Sequence, residues 1–280
     1  MHVFPSEFAR NRPFFRRALC VSVVVLAVLA SYAPGQGGKS KDALTPAFCQ
    51  RDPDAGFAND GRYYCAPTSI SDGLIYLSRA RELTKLVDGT GKTAQIDLIH
   101  KLAEEMSVDP EKGAGPERIL TGLRSYVESR GYQFARLELA TWRKVSAKNA
   151  GYKIAGKPDM KWMREAAQNP DCVMVFNNGW YQEGEDGYTR SGGHWVIVVG
   201  TGADPLSFLV HNPKLSPEDQ RLNQLLNLTL LDKDFTVIGD SDEETDMSGY
   251  YSIKGPGLPF DEDKAAAAVL DAVIVFSLKK

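Results

Sequence analysis

The sequence predicts an α+β domain in which a helical first half packs on an antiparallel β-sheet. Three observations predict it. Apolar residues recur at helical spacing over roughly the first half, and short β-branched runs separated by Gly, Asn and Pro fill the second. From Pro46 onward no linker, repeat or low-complexity tract divides the two. The chain has 280 residues, 43% hydrophobic and 25% charged, which is ordinary globular composition.

The elements follow in order. Pro67 suits the first turn of a helix that buries Ile70, Leu74 and Leu77. A second helix carries Ile96, Ile99, Ala103 and Met106 on one face. A third runs from Pro116 with Ile119, Leu123, Tyr126 and Val127 inward and stops at Gly131. Alternation of Ala135, Leu137 and Leu139 with Arg136 and Glu138 gives a half-buried strand, and a short helix around Met160–Gln168 follows. Strands are expected at Cys172–Phe176, Trp195–Val199, Ser207–His211 and Val269–Phe276. Turns are expected at Asn177-Asn178-Gly179 and Gly192-Gly193. The acidic run Asp240–Asp246 lacks the ligand spacing of a calcium loop and reads as a solvated loop.

Residues 1–35 read as a secretory signal peptide. Arg10, Arg12, Arg16 and Arg17 precede an apolar run from Ala18 to Ala30, and small residues follow. The run is short for a membrane span, which needs about 20 apolar residues, and an uncleaved anchor is the alternative. Residues 36–45 read as a polar linker, leaving one domain over 46–280. Export, to a periplasmic, cell-envelope or extracellular location, is the expectation. The formal charge of -3 leaves no basic excess to attract phosphate backbones, so nucleic acid is not an expected partner.

Outside the leader only Cys49, Cys65 and Cys172 remain, an odd count for an oxidising compartment. Pairing of Cys49 with Cys172 would leave Cys65 free; a buried inert cysteine or an intermolecular bridge is the other account. Cys65 stands immediately before a predicted helix start, where unpaired N–H groups and the helix dipole favour thiolate. Among the 4 histidines, His194 follows Ser191-Gly192-Gly193 and opens a strand, a placement that suits a general base at a cleft rim. Asn212 ends the next strand, where antiparallel pairing would bring it beside His194. His211 should point to the opposite face. Trp180 and Trp195 are candidates for a groove wall, with core packing favoured for Trp195. No Cys/His cluster has zinc spacing and no Gly-rich phosphate loop precedes a helix, so no metal or cofactor is expected.

The order Cys65, His194, Asn212 resembles papain-like proteases, in which His and Asn lie about 130–150 residues beyond the Cys. The local wording is similar to the bacterial peptidases that trim double-glycine leaders, and to their free-standing relatives. That family has a Cys-Gly-Pro/Val-type helix start, a Gly-Gly-His-Trp/Tyr-Val-Val strand and an Asp-Pro. Here stand Cys65-Ala66-Pro67-Thr68-Ser69, Gly192-Gly193-His194-Trp195-Val196-Ile197-Val198-Val199-Gly200 and His211-Asn212-Pro213. The similarity runs from about Phe48 to Pro213. It implies a papain-like fold and hydrolysis of a peptide or amide bond in a peptide or protein substrate by Cys65, His194 and Asn212. The family's oxyanion-hole Gln, six residues before the Cys, is replaced here by Asn59. That shorter amide motivates the competing expectation, a catalytically weak or inactive module that binds peptides.

Overall fold

Helices come first and strands second, and the strands close on themselves. The structure is a computed structural model that describes residues 41–145, 151–232, 234–239, 243–258 and 265–280. The expected signal peptide, 1–35, lies outside the described residues. The first half supplies α1 (Lys41–Leu44), α2 (Cys65–Arg81), α3 (Gly91–Glu105) and α4 (Pro116–Ser129). Then come β1 (Phe134–Thr141), β2 (Lys153–Gly156), α5 (Met160–Gln168), β3 (Val173–Glu183), β4 (Tyr188–Thr201) and β5 (Ser207–His211). The chain ends with α6 (Pro217–Leu222), β6 (Leu225–Leu230), β7 (Thr236–Ile238), β8 (Glu244–Asp246), β9 (Tyr251–Lys254) and β10 (Ala267–Leu278).

Each of β3, β4, β5, β6, β9 and β10 pairs antiparallel with the next in that order, and β10 returns to β3. The ring is a closed barrel. Strand alternation then sorts the side chains. Phe176, Val196, Val198, Phe208, Val210, Leu226 and Leu228 form one apolar cluster, which α5 joins through Met163 and Ala166. Trp195, Ile197 and Val199 face the other way, into a cluster with Ile70, Leu74 and Leu77 of α2. Helix α2 is therefore seated on the outer face of β4.

Several expectations need correction. The linker 36–45 is too long, because Lys41–Leu44 is helical and held. Lys41 Nζ donates to the carbonyls of Ala167, Asn169 and Cys172 at 2.9, 3.0 and 2.9 Å, at the end of α5. Asn177-Asn178-Gly179 and Gly192-Gly193 are not turns. They pair with each other's strands in the middle of the β3–β4 ladder, and the hairpin turns at Gly184–Gly187 instead. These glycines admit bulky neighbours rather than bends: a Cβ at Gly179 would strike the Asp271 carboxylate, and one at Gly193 the Arg190 guanidinium. His194 consequently lies within a strand and is buried, not at a strand's mouth. Glu244–Asp246 of the acidic run is an edge strand, while residues 240–242 lie outside the described residues. The described Cys49, Cys65 and Cys172 are all free, so the Cys49–Cys172 bridge is absent.

Phe208 is fully buried in the barrel, edge-on to Phe176 at 5.2 Å. Phe208→Ala should cost about 3–5 kcal/mol in urea denaturation. A loss under about 1 kcal/mol would mean that the barrel interior is not a packed core.

Candidate active site

The N-terminus of α2 abuts β4. Ser69 Oγ donates to the Trp195 carbonyl at 3.1 Å, one helical turn beyond Cys65. The backbone N–H groups of Trp195, Ala66 and Cys65 itself lie near the Cys65 sulfur and favour its thiolate. His194 is the residue before Trp195 on β4. Cys65 and His194 line one cleft of about 1300 Å³, with Gln50, Asn177, Trp180 and Arg190 on its walls.

Asn212 decides which nitrogen of the imidazole carries the proton. Its Oδ1 accepts the Lys214 backbone N–H at 3.0 Å, and its Nδ2 donates to the Gly257 carbonyl at 3.1 Å. A backbone N–H only donates and a carbonyl only accepts, so the amide has one orientation. His194 Nε2 lies 2.7 Å from Oδ1 and must therefore be the protonated nitrogen, donating to it. In the neutral ring Nδ1 keeps its lone pair. Asn212 is 1% exposed, so this tautomer is fixed by groups that water does not reach. Trp180 lies nearly parallel to the imidazole, with ring centroids 6.1 Å apart and planes at 16°. Trp195 is buried among the α2 contacts, as core packing required.

Burial governs the protonation of both groups. It lowers the His194 pKa to about 4; the Asn212 bond opposes this and the nearby Lys214 charge adds to it. It raises the Cys65 thiol pKa, against the three backbone N–H groups that favour thiolate. The helix N-terminus does what the sequence expected of it, but desolvation outweighs it. Both shifts favour the neutral forms, a thiol at Cys65 and an imidazole at His194.

His211 points away from this site. Its Nδ1 lies 2.8 Å from the Pro46 carbonyl oxygen and its Nε2 2.7 Å from Asp42 Oδ1. His100 lies at the surface, its Nε2 2.9 Å from the Ala55 carbonyl oxygen. Asn59 is a correction. It is exposed, in left-handed backbone at φ 51°, and its Nδ2 donates to the Pro110 carbonyl at 3.2 Å, outside the cleft lining. The turn from Ala58 to Gly61 carries Asn59 outward.

The side-chain amide that does line the cleft is Gln50, which sequence reasoning missed. It is 2% exposed, and its backbone N–H donates to the Pro213 carbonyl at 2.8 Å, beside Asn212. Its Nε2 donates to the Gly61 and Arg62 carbonyls at 2.8 and 3.0 Å. Gly61, at φ +68°, has no room for a Cβ against the Gln50 carbonyl oxygen, so the turn wraps Gln50 closely. The one signal in the sequence was an uncharged amide directly after the apolar Phe48-Cys49 pair.

No family model matches the chain, and no curated protein matches it significantly.

Burial keeps His194 neutral down to about pH 4, whereas an unfolded His titrates near 6.5. The unfolded state then binds the extra proton between these values. His194 therefore contributes stability that is fully present above pH ~6.5 and lost as pH falls toward 4, about 3 kcal/mol in all. In urea denaturation from pH 7 to 4, His194→Gln should flatten this loss. An unchanged slope would mean that the imidazole titrates as if exposed.

Proposed function

We propose that the chain is an exported cysteine-type hydrolase of papain-like architecture that cleaves a peptide or amide bond. One observation carries the reading: the Asn212 amide holds His194 by Nε2 and leaves Nδ1 as the lone-pair nitrogen, in the cleft that Cys65 lines. Export is proposed from the basic-then-apolar order of residues 10–30.

The chemistry follows from two neutral groups. As the sulfur attacks the carbonyl carbon, Nδ1 takes the thiol proton, and the imidazolium so formed keeps its Nε2–H bond to Asn212. The Cys65 N–H faces the developing oxyanion, and Gln50 supplies a second donor once Nε2 releases one of its two carbonyl partners. Collapse breaks the C–N bond, with the Nδ1 proton passing to the leaving amine. Water, deprotonated by His194, then hydrolyses the thioester. Asn59 takes no part.

A second reading is a peptide-binding module with little turnover. The raised thiol pKa and the prior engagement of Gln50 Nε2 favour it. The pH dependence of Cys65 alkylation separates the two. Rapid alkylation at neutral pH that His194→Ala slows supports hydrolysis, and alkylation only above the ordinary thiol range supports binding.

Cys65→Ala should abolish both turnover and labelling by a thiol-directed peptide electrophile, with Cys49 and Cys172 still present as free thiols. Undiminished labelling of the variant would move the nucleophile elsewhere. Gln50→Ala should lower kcat about 100-fold or more, while Asn59→Ala leaves kcat within about twofold. The reverse ranking would return the oxyanion role to Asn59.

A further inference from the structure

We propose that this cleft selects acidic peptides, with Asp or Glu side chains flanking the bond presented to Cys65. The inference rests on the hydrolase reading for the identity of that bond, and on the cleft's charge for its selectivity.

Of the side chains lining the cleft, eight are Lys or Arg and two are Glu. The whole chain has 33 basic and 36 acidic residues, so outside the cleft acidic groups are in clear excess. Arg51 and Lys214 are brought together by the Gln50–Pro213 backbone bond, and Arg62 is on the turn before Cys65. Lys112 and Arg118 lie before and within the first turn of α4, at a loop whose Gly113 sits against Tyr63, next to Arg62. Lys144 is neutralised by Glu243 at 2.6 Å. Among the described residues no ion pair involves Arg51, Arg62, Lys112 or Lys214. Like charges converging on one concave surface repel each other and gain from an anionic occupant.

Arg190, whose charge is matched by Asp271, adds to these cations a fixed hydrogen-bond donor. Its Nε donates to Asp271 at 2.5 Å, and Asp271 is fully buried, held also by Tyr181 Oη at 2.5 Å and Trp142 Nε1 at 3.1 Å. Its Nη2 reaches Asn177 Oδ1 at 3.4 Å. The guanidinium is thereby clamped on the cleft wall three residues before Gly193, with Nη1 unpaired among the described residues. A preset guanidinium favours a carboxylate, because little side-chain freedom is lost on binding.

The surrounding acidity decides between anionic ligands. A nucleic acid or other long polyanion would extend beyond the cleft onto surface of its own sign. A peptide with a few carboxylates next to the reacting bond would remain inside.

The test uses three fluorescein-labelled decapeptides of matched sequence carrying Glu, Gln or Lys at the flanking positions. Binding is read by anisotropy with the Cys65→Ala protein, and cleavage with the wild type. The Glu peptide should bind and be cleaved about tenfold better than the Gln peptide at low salt, and the advantage should shrink toward parity by 0.5 M NaCl. The exposed pair Arg62→Glu/Lys112→Glu should bring the Glu-to-Gln ratio most of the way to parity. Equal binding of Glu and Gln peptides overturns the inference even if both are cleaved. Preferential binding of the Glu peptide without cleavage supports it and defeats the hydrolase reading instead. A single-stranded decanucleotide that binds more tightly than the Glu peptide overturns it in favour of a nucleic-acid ligand.

Discussion

Everything at the site depends on the seam between α2 and β4. The Ser69–Trp195 bond ties the first turns of the helix to the strand that carries His194, and the Trp195 N–H lies near the sulfur. The seam is held from behind by Ile70, Leu74 and Leu77, packed with Trp195, Ile197 and Val199. Because a helix and a strand are rigid, a contact made at one pair of residues fixes the approach of their neighbours. Cys65 and His194 meet the same cleft for that reason, although one belongs to the helical half and the other to the barrel.

The same seam has an electrostatic consequence. Packing a helix end against a closed barrel buries the imidazole and half-buries the thiol, and each responds by favouring its neutral form. The backbone N–H groups around the sulfur are then better matched to charge that develops during attack than to charge stored beforehand. Such preorganised donors are worth more in a dry site than in water. The fixed Asn212 amide serves the same end, since it is already oriented for the imidazolium that appears when Nδ1 takes a proton.

Much of this was legible in the sequence where local pattern and tertiary role agree. A helix beginning beside Cys65, the strand ending at His211 and the opposite facing of His211 and Asn212 all follow from local pattern; the helix takes in Cys65 itself, one residue earlier than expected. Glycine was misread for a physical reason. At Gly179, Gly192 and Gly193 the missing side chain makes room for Asp271, Trp180 and Arg190, and nothing in the local pattern distinguishes that use from a turn. Gln50 was hidden likewise: its place beside Asn212 comes from a backbone bond to Pro213, across most of the chain. The barrel's closing strands β6 and β9 are short, at 6 and 4 residues, and neither was expected from the sequence.

The buried Asp271 links that misreading to the cleft. A carboxylate with no exposure is costly unless its charge is matched and its oxygens are bonded. Tyr181, Trp142 and Arg190 supply those bonds, and Gly179 supplies the space. The arrangement does little for stability that an apolar side chain could not do as well. What an apolar residue could not do is hold a guanidinium in a set position on the wall of the cleft, close to the strand residue that carries the base. Charge placed so deep, at a β-bulge between Leu270 and Ala272, is better explained by what Arg190 faces than by what Asp271 holds together.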